Sequence, residues 1–133
     1  MTTAVDTCVL LDMLLDEPGW GDRARDALRR AFAKGRLIVG EVVYAELMPQ
    51  FRDAAELGSV LEQLGVAFVP SSAAAAAAAG AAWGDYRRRG GPRERLIADF
   101  LVGAHALANA DVLLTRDTAF YKRSLEGLTL VEP

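Results

Sequence analysis

Short apolar runs alternate, along nearly the whole chain, with longer segments whose apolar residues recur every three or four positions. Ala4 and Val5 lead to Asp6 at the end of a buried strand, and residues 7–15 read as a helix starting at once, with Thr7 placed to cap it. A one-sided helix over 20–34 carries Ala24, Leu28, Ala31 and Phe32 and closes at Gly35. Leu37, Ile38 and Val39 form a short strand, followed by a helix over 40–48 that Pro49 closes or kinks. An amphipathic helix over 54–64 precedes a third strand, 66–69, stopped by Pro70. Ser71 or Ser72 then caps an alanine-rich helix that runs from 73 through Trp83 and Tyr86 to Arg89, where Gly90, Gly91 and Pro92 break it. A helix over 93–109, a strand over 112–114, a short helix around 119–122 and a last strand near 129–131 complete the chain.

Five short strands alternating with helices predict an α/β domain: a central, mainly parallel five-stranded sheet with right-handed crossovers, flanked by helices. At 133 residues, 52% of them hydrophobic, the chain (1–133) is expected to be one domain with a core that needs no disulfide or metal staple. The one cysteine, Cys8, rules out an intramolecular disulfide, and the cytoplasm is the expected compartment. The first residues show no basic leader, and no uncharged stretch approaches the ~20 apolar residues of a membrane span, so neither signal peptide nor membrane anchor is expected. The formal charge of −3 argues against a protein that coats nucleic acid by bulk electrostatics. If four of the 18 acids surround a cation, however, the remaining 14 face 15 Lys and Arg, and a nucleic-acid substrate stays open.

Four carboxylates stand in unusually apolar settings. Asp6 ends the first strand, Glu46 lies in the helix after the second, Asp99 interrupts an apolar helical pattern, and Asp117 follows the fourth strand. Open parallel sheets place their ligands at the carboxyl ends of the strands, so Asp6 and Asp117 are neighbours if their strands are adjacent. Taken singly, each acid is explained as a cap, an arginine's partner or a solvated edge residue. Taken together, four clustered carboxylates must hold protons or bind a hard divalent cation. Oxygen ligands without histidine or thiol select Mg²⁺ or Mn²⁺. Asp111 begins its strand and lies about 15 to 20 Å from Asp117 at ~3.3 Å per residue. Asp12, Asp16, Glu17 and Glu41 are assigned to solvated faces or helix ends.

Val5-Asp6-Thr7-Cys8-Val9-Leu10-Leu11, Tyr44-Ala45-Glu46-Leu47, Asp99 to His105 and Leu114-Thr115-Arg116-Asp117-Thr118-Ala119-Phe120-Tyr121 resemble, in order, the motifs of PIN-domain nucleases, in particular VapC-like toxins of type II toxin–antitoxin pairs. The resemblance implies a three-layer PIN-like domain and a Mg²⁺- or Mn²⁺-dependent endoribonuclease that inhibits translation or growth by cutting RNA. It implies Asp6, Glu46, Asp99 and Asp117 as catalytic acids, with Glu46 holding metal directly or through water, and Thr115 in support. A small protein antitoxin and a homodimer are the implied partners. Cys8 stands where the family commonly has asparagine or serine.

Arg116 is expected either to approach a substrate phosphate or to stand exposed in a turn. Arg87, Arg88, Arg89, Arg93 and Arg95 form the most basic stretch, either tracking an RNA backbone or capping a helix end. His105, the only histidine, is assigned to packing or capping, against two-histidine ribonuclease chemistry. An aspartyl-nucleophile phosphatase would want an acid two residues after Asp6, where Cys8 stands. The alternative to a nuclease is a catalytically inactive PIN-like module that binds RNA or protein. The helices over 20–34 and 54–64 offer faces for an antitoxin.

Overall fold

The apolar runs form five strands in a computed structural model that describes residues 1–92 and 96–133: β1 (Thr2–Val5), β2 (Arg36–Val39), β3 (Val66–Phe68), β4 (Val112–Leu114) and β5 (Leu130–Val131). All neighbours pair in parallel, in the order β3-β2-β1-β4-β5, as expected for a sheet whose strands are joined by helical crossovers. The chain winds outward from β1 to β3, then crosses back to β4. The switch in direction therefore falls between β1 and β4, the crevice in which open parallel sheets hold their ligands.

Among the described residues, seven helices flank the sheet: α1 (Thr7–Leu14), α2 (Gly21–Lys34), α3 (Glu41–Leu47), α4 (Ala54–Gln63), α5 (Ala73–Arg88), α6 (Ile97–Asn109) and α7 (Thr118–Ser124). Pro49 lies in a single 3-10 turn (Met48–Gln50) after α3, because proline cannot donate the hydrogen bond that would continue the helix. Between the two predicted caps of α5 the structure chooses Ser72, whose Oγ accepts the Ala75 N–H at 3.1 Å. The Ser71 N–H instead donates to Glu41 at 2.9 Å, tying the start of α5 to α3. No helix among the described residues is long and apolar enough to cross a membrane.

The core joins the sheet, including Val5, Leu37, Ile38, Leu113 and Leu114, to Val9, Leu10, Leu47, Leu57 and Phe100 from the helices, all within 1% of full burial. Alanine gives α5 a smooth surface against α6, where Ala75 and Ala79 are buried. Gly103 lets α6 meet the α7 region at close range: a Cβ there would collide with Leu125 and Tyr121. His105 is buried as expected of a packing residue; its Nε2 lies 2.7 Å from the Val69 carbonyl, and its ring fills the space a side chain at Gly40 would need. Asp111 lies at the amino end of the sheet, accepting the Thr2 N–H at 2.7 Å, away from Asp117.

Three expectations shift. Asp6, not Thr7, is the N-cap of α1. The described part of α6 begins at Ile97, which puts Asp99 in its first turn instead of its interior; the predicted helical start at 93–95 lies outside the described residues. Asp12, assigned to a solvated face, is 4% exposed.

Candidate active site

Asp6 leaves β1 where its backbone still pairs with β4, the Asp6 N–H donating to the Leu114 carbonyl at 3.0 Å. Its extended backbone (φ −75°, ψ 153°) turns the side chain back over the start of α1. One carboxylate oxygen accepts the Thr7 N–H at 2.8 Å, an orphan donor of the first helical turn. The other accepts the Thr115 hydroxyl at 2.7 Å and, more weakly, the Tyr121 hydroxyl at 3.4 Å. Every one of these donors is neutral.

The network extends both ways from Asp6. Thr7 donates its hydroxyl to Glu46 at 2.7 Å, linking α1 to α3. Thr115 Oγ1 accepts the Asp117 N–H at 3.0 Å, which fixes the turn after β4. A continuous path thus runs Glu46–Thr7–Asp6–Thr115–Asp117, drawn from both sides of the β1–β4 crevice. Asp99 approaches from α6; its carboxylate accepts the Leu96 N–H at 3.2 Å, half of a capping box whose other half is absent because leucine has no side-chain acceptor.

Electrostatics place the acids within one another's fields. Burial pushes the Asp6 carboxyl above its ordinary range; the Thr115 and Thr7 hydrogen bonds oppose the shift, and the charges of Glu46 and Asp99 add to it. The Tyr121 phenol is raised by burial first, then by Asp6, Asp99, Cys8 and Asp117, so these groups surround one hydroxyl. The Cys8 thiol is pushed up to about 11 by burial and by Asp6. A thiol that stays protonated in this way is a poor nucleophile. Its Sγ lies 3.9 Å from Thr115 Oγ1, replacing a side-chain amide or hydroxyl with a weak contact.

Asp6, Glu46 and Asp117 are therefore joined through two threonines, and Asp99 faces the same crevice. Glu46 departs from the apolar setting its neighbours suggest: it is exposed, and it accepts the Thr7 hydroxyl. Thr7 and Tyr121 were not singled out for this role by the sequence pattern. Thr7 follows Asp6 directly and was read only as a cap, while the place of Tyr121 depends on how α7 packs.

The PIN domain family profile matches residues 3–125. The chain belongs to the PIN domain family. PIN domains are in general nucleases that use divalent metal ions. No curated protein matches the chain in sequence. Its PIN fold is similar to solved structures at low identity. VapBC2 from Rickettsia felis, bound to a DNA fragment of its promoter, aligns with TM-score 0.75 and 20% identity over 99% of this chain and 98% of that one. VapBC-1 from nontypeable Haemophilus influenzae gives 0.75 and 19% over the same shares. FitAcB from Neisseria gonorrhoeae gives 0.67 and 19% over 96% of this chain and 95% of that one.

The acids of this PIN domain suit a hard divalent cation by donor type: carboxylate oxygens with no imidazole beside them. Burial raises the Asp6 carboxyl and the charges of Glu46 and Asp99 add to the shift, a part that a cation would relieve. Among the described residues, however, no three His, Cys, Asp or Glu side chains converge closely enough to grip an ion as they stand. The chemistry fits, while Asp99 and Glu46 are engaged with Leu96 and Thr7 in place of a closed cage.

The basic side chains at the end of α5 have partners of their own. Arg87 covers the Trp83 ring at 4.9 Å, Arg88 pairs with Asp85, and Arg89 Nε donates to the Asp85 carbonyl at 3.4 Å, all at the carboxyl end of α5. Cations there complement the helix dipole. Arg93 and Arg95 lie outside the described residues. Arg116 is exposed in the turn after β4, as one of its two expected readings has it, and it also pairs with Asp12.

Proposed function

We propose that this PIN domain is a Mg²⁺- or Mn²⁺-dependent endoribonuclease acting as the toxin of a toxin–antitoxin pair, with Asp6, Asp99, Asp117 and Glu46 as its catalytic acids. The observation carrying this reading is the raised carboxyl of Asp6 at the β1–β4 switch point, tied by threonines to Glu46 and Asp117 and held in the field of Asp99. The similarity of fold to the VapBC and FitAcB structures supports the antitoxin partner.

When bound, a divalent cation supplies an acidified water and neutralises charge on the leaving oxygen. Asp6 and Asp117 present carboxylates across the crevice, held in register by Thr115. Asp99 stands in the first turn of α6, at the positive end of the helix dipole. Glu46, exposed and oriented by Thr7, is suited to hold a ligand through water or to position the attacking water. A homodimer, and contact of Arg87 to Arg89 with an RNA backbone, belong to the same proposal.

The second reading, a PIN-like module that binds without cutting, is favoured by the spread of the acids, no three of which converge among the described residues. Millimolar Mn²⁺ separates the two, since a ligand held only by the folded state raises Tm. The direct test is cleavage of mixed cellular RNA by purified protein with Mg²⁺ or Mn²⁺, with EDTA, and in Asp99→Asn and Asp117→Asn. Cleavage is expected only in metal-containing wild type. Cleavage that survives EDTA and both substitutions would refute the mechanism.

A further inference from the structure

Arg116 lies between Thr115, which holds Asp6, and Asp117, whose N–H rests on Thr115. Its side chain turns away from the crevice. A terminal nitrogen donates to Asp12 Oδ1 at 2.9 Å, and Nε lies 2.8 Å from Oδ2 as an ion-pair contact that is not aligned as a hydrogen bond, so the guanidinium meets both carboxylate oxygens edge-on. Its face lies 4.5 Å over the Trp20 ring. Arg23 covers the same ring at 4.4 Å and donates to the Pro133 carbonyl at 3.0 Å, which steadies Trp20 between two cations. The Asp12 side chain is 5% exposed and that of Arg116 35%.

Cys8 and Asp12 are four residues apart on α1 and so share one face of the helix whose cap is Asp6. The turn after β4 is laid along that face: Thr115 against Cys8, Arg116 against Asp12. The geometry points to Arg116 as a positioning residue, clamped by Asp12 and Trp20 so that its loop presents Thr115 and Asp117 to Asp6. Only a planar cation both forks onto a carboxylate at its edge and stacks on an indole by its face, so lysine cannot reproduce the clamp. The role rests on the acidic site proposed above, and its test keeps the two apart.

The test compares the full chain with Arg116→Lys, Asp12→Asn and Trp20→Leu by three readouts: amide hydrogen exchange at Asp117, Mn²⁺ affinity, and kcat and KM for RNA cleavage. Arg116→Lys is expected to speed Asp117 exchange about tenfold with Ala4 in β1 unchanged, and to weaken Mn²⁺ binding about tenfold, the scale on which supporting groups act on metal sites. It should also lower kcat at constant KM. Trp20→Leu keeps the ion pair and should act in the same direction by a smaller factor, which decides the matter if Asp12→Asn does not fold. Unchanged Asp117 exchange in Arg116→Lys and Trp20→Leu overturns the clamp. So does a rise in KM at constant kcat, which would put Arg116 on an RNA phosphate. If wild type neither binds Mn²⁺ nor cuts RNA, the functional reading fails, while the exchange result still judges the clamp.

Discussion

Two acids of α1, one at its cap and one within it, meet burial in opposite ways. Asp12, inside the apolar pattern of the helix, is buried and answered by the Arg116 guanidinium. Asp6, at the helix cap six residues earlier, is answered among the described residues only by neutral donors, a backbone N–H and two hydroxyls, and lies in the field of further acids. A charge that is paired has its counterpart within the fold; one held by dipoles among like charges is poised for a counterion from outside. Burial alone does not separate a structural acid from a functional one. The sign of its surroundings does.

The largest effect expected from this contrast is at Asp12. Asp12→Ala should cost about 3 kcal/mol in denaturant unfolding, the low end for stripping one partner from a buried pair because Arg116 keeps a third of its side chain in water. A loss below 1 kcal/mol would show that the pairing of Asp12 contributes little and would break the comparison.

Asp6 should behave the other way in metal-free protein. Its folded pKa is raised above the unfolded value, so the folded state binds the extra proton. The stability this confers is complete below the unfolded pKa and is lost as pH rises through the folded one. Relative to wild type, Asp6→Asn should therefore gain stability on going from pH 4 to pH 8, so that its Tm minus that of wild type increases over that range. A difference that narrows with pH would put a cation beside Asp6. The smallest effect belongs to the exposed pair of Asp85 and Arg88: Asp85→Asn should change stability by no more than about 0.5 kcal/mol.

The contrast also marks how far sequence reaches. Strand and helix order followed from apolar periodicity because burial selects those residues, and the five strands lie where the runs predicted. Asp6 and Asp117 were legible from their places at strand ends. Asp12 was not, although it breaks the apolar pattern of α1 much as Asp99 was read to break that of α6: its partner, Arg116, is 104 residues away. Asp99 was placed in a helix interior because no polar residue marks a cap; the cap position is Leu96, and Asp99 itself caps the turn. The threonine links from Asp6 to Glu46 and Asp117 depend on the β1–β4 adjacency, which a chain pattern implies only after the sheet order is known.

The central claim, that Asp6 anchors a divalent cation in the β1–β4 crevice, is tested most directly by calorimetric titration of Mn²⁺ into wild type, Asp6→Asn and the control Asp111→Asn, whose acid lies at the opposite end of the sheet. The account predicts saturable binding to wild type and Asp111→Asn, and affinity at least tenfold weaker in Asp6→Asn. Equal Mn²⁺ affinity in all three proteins would contradict it.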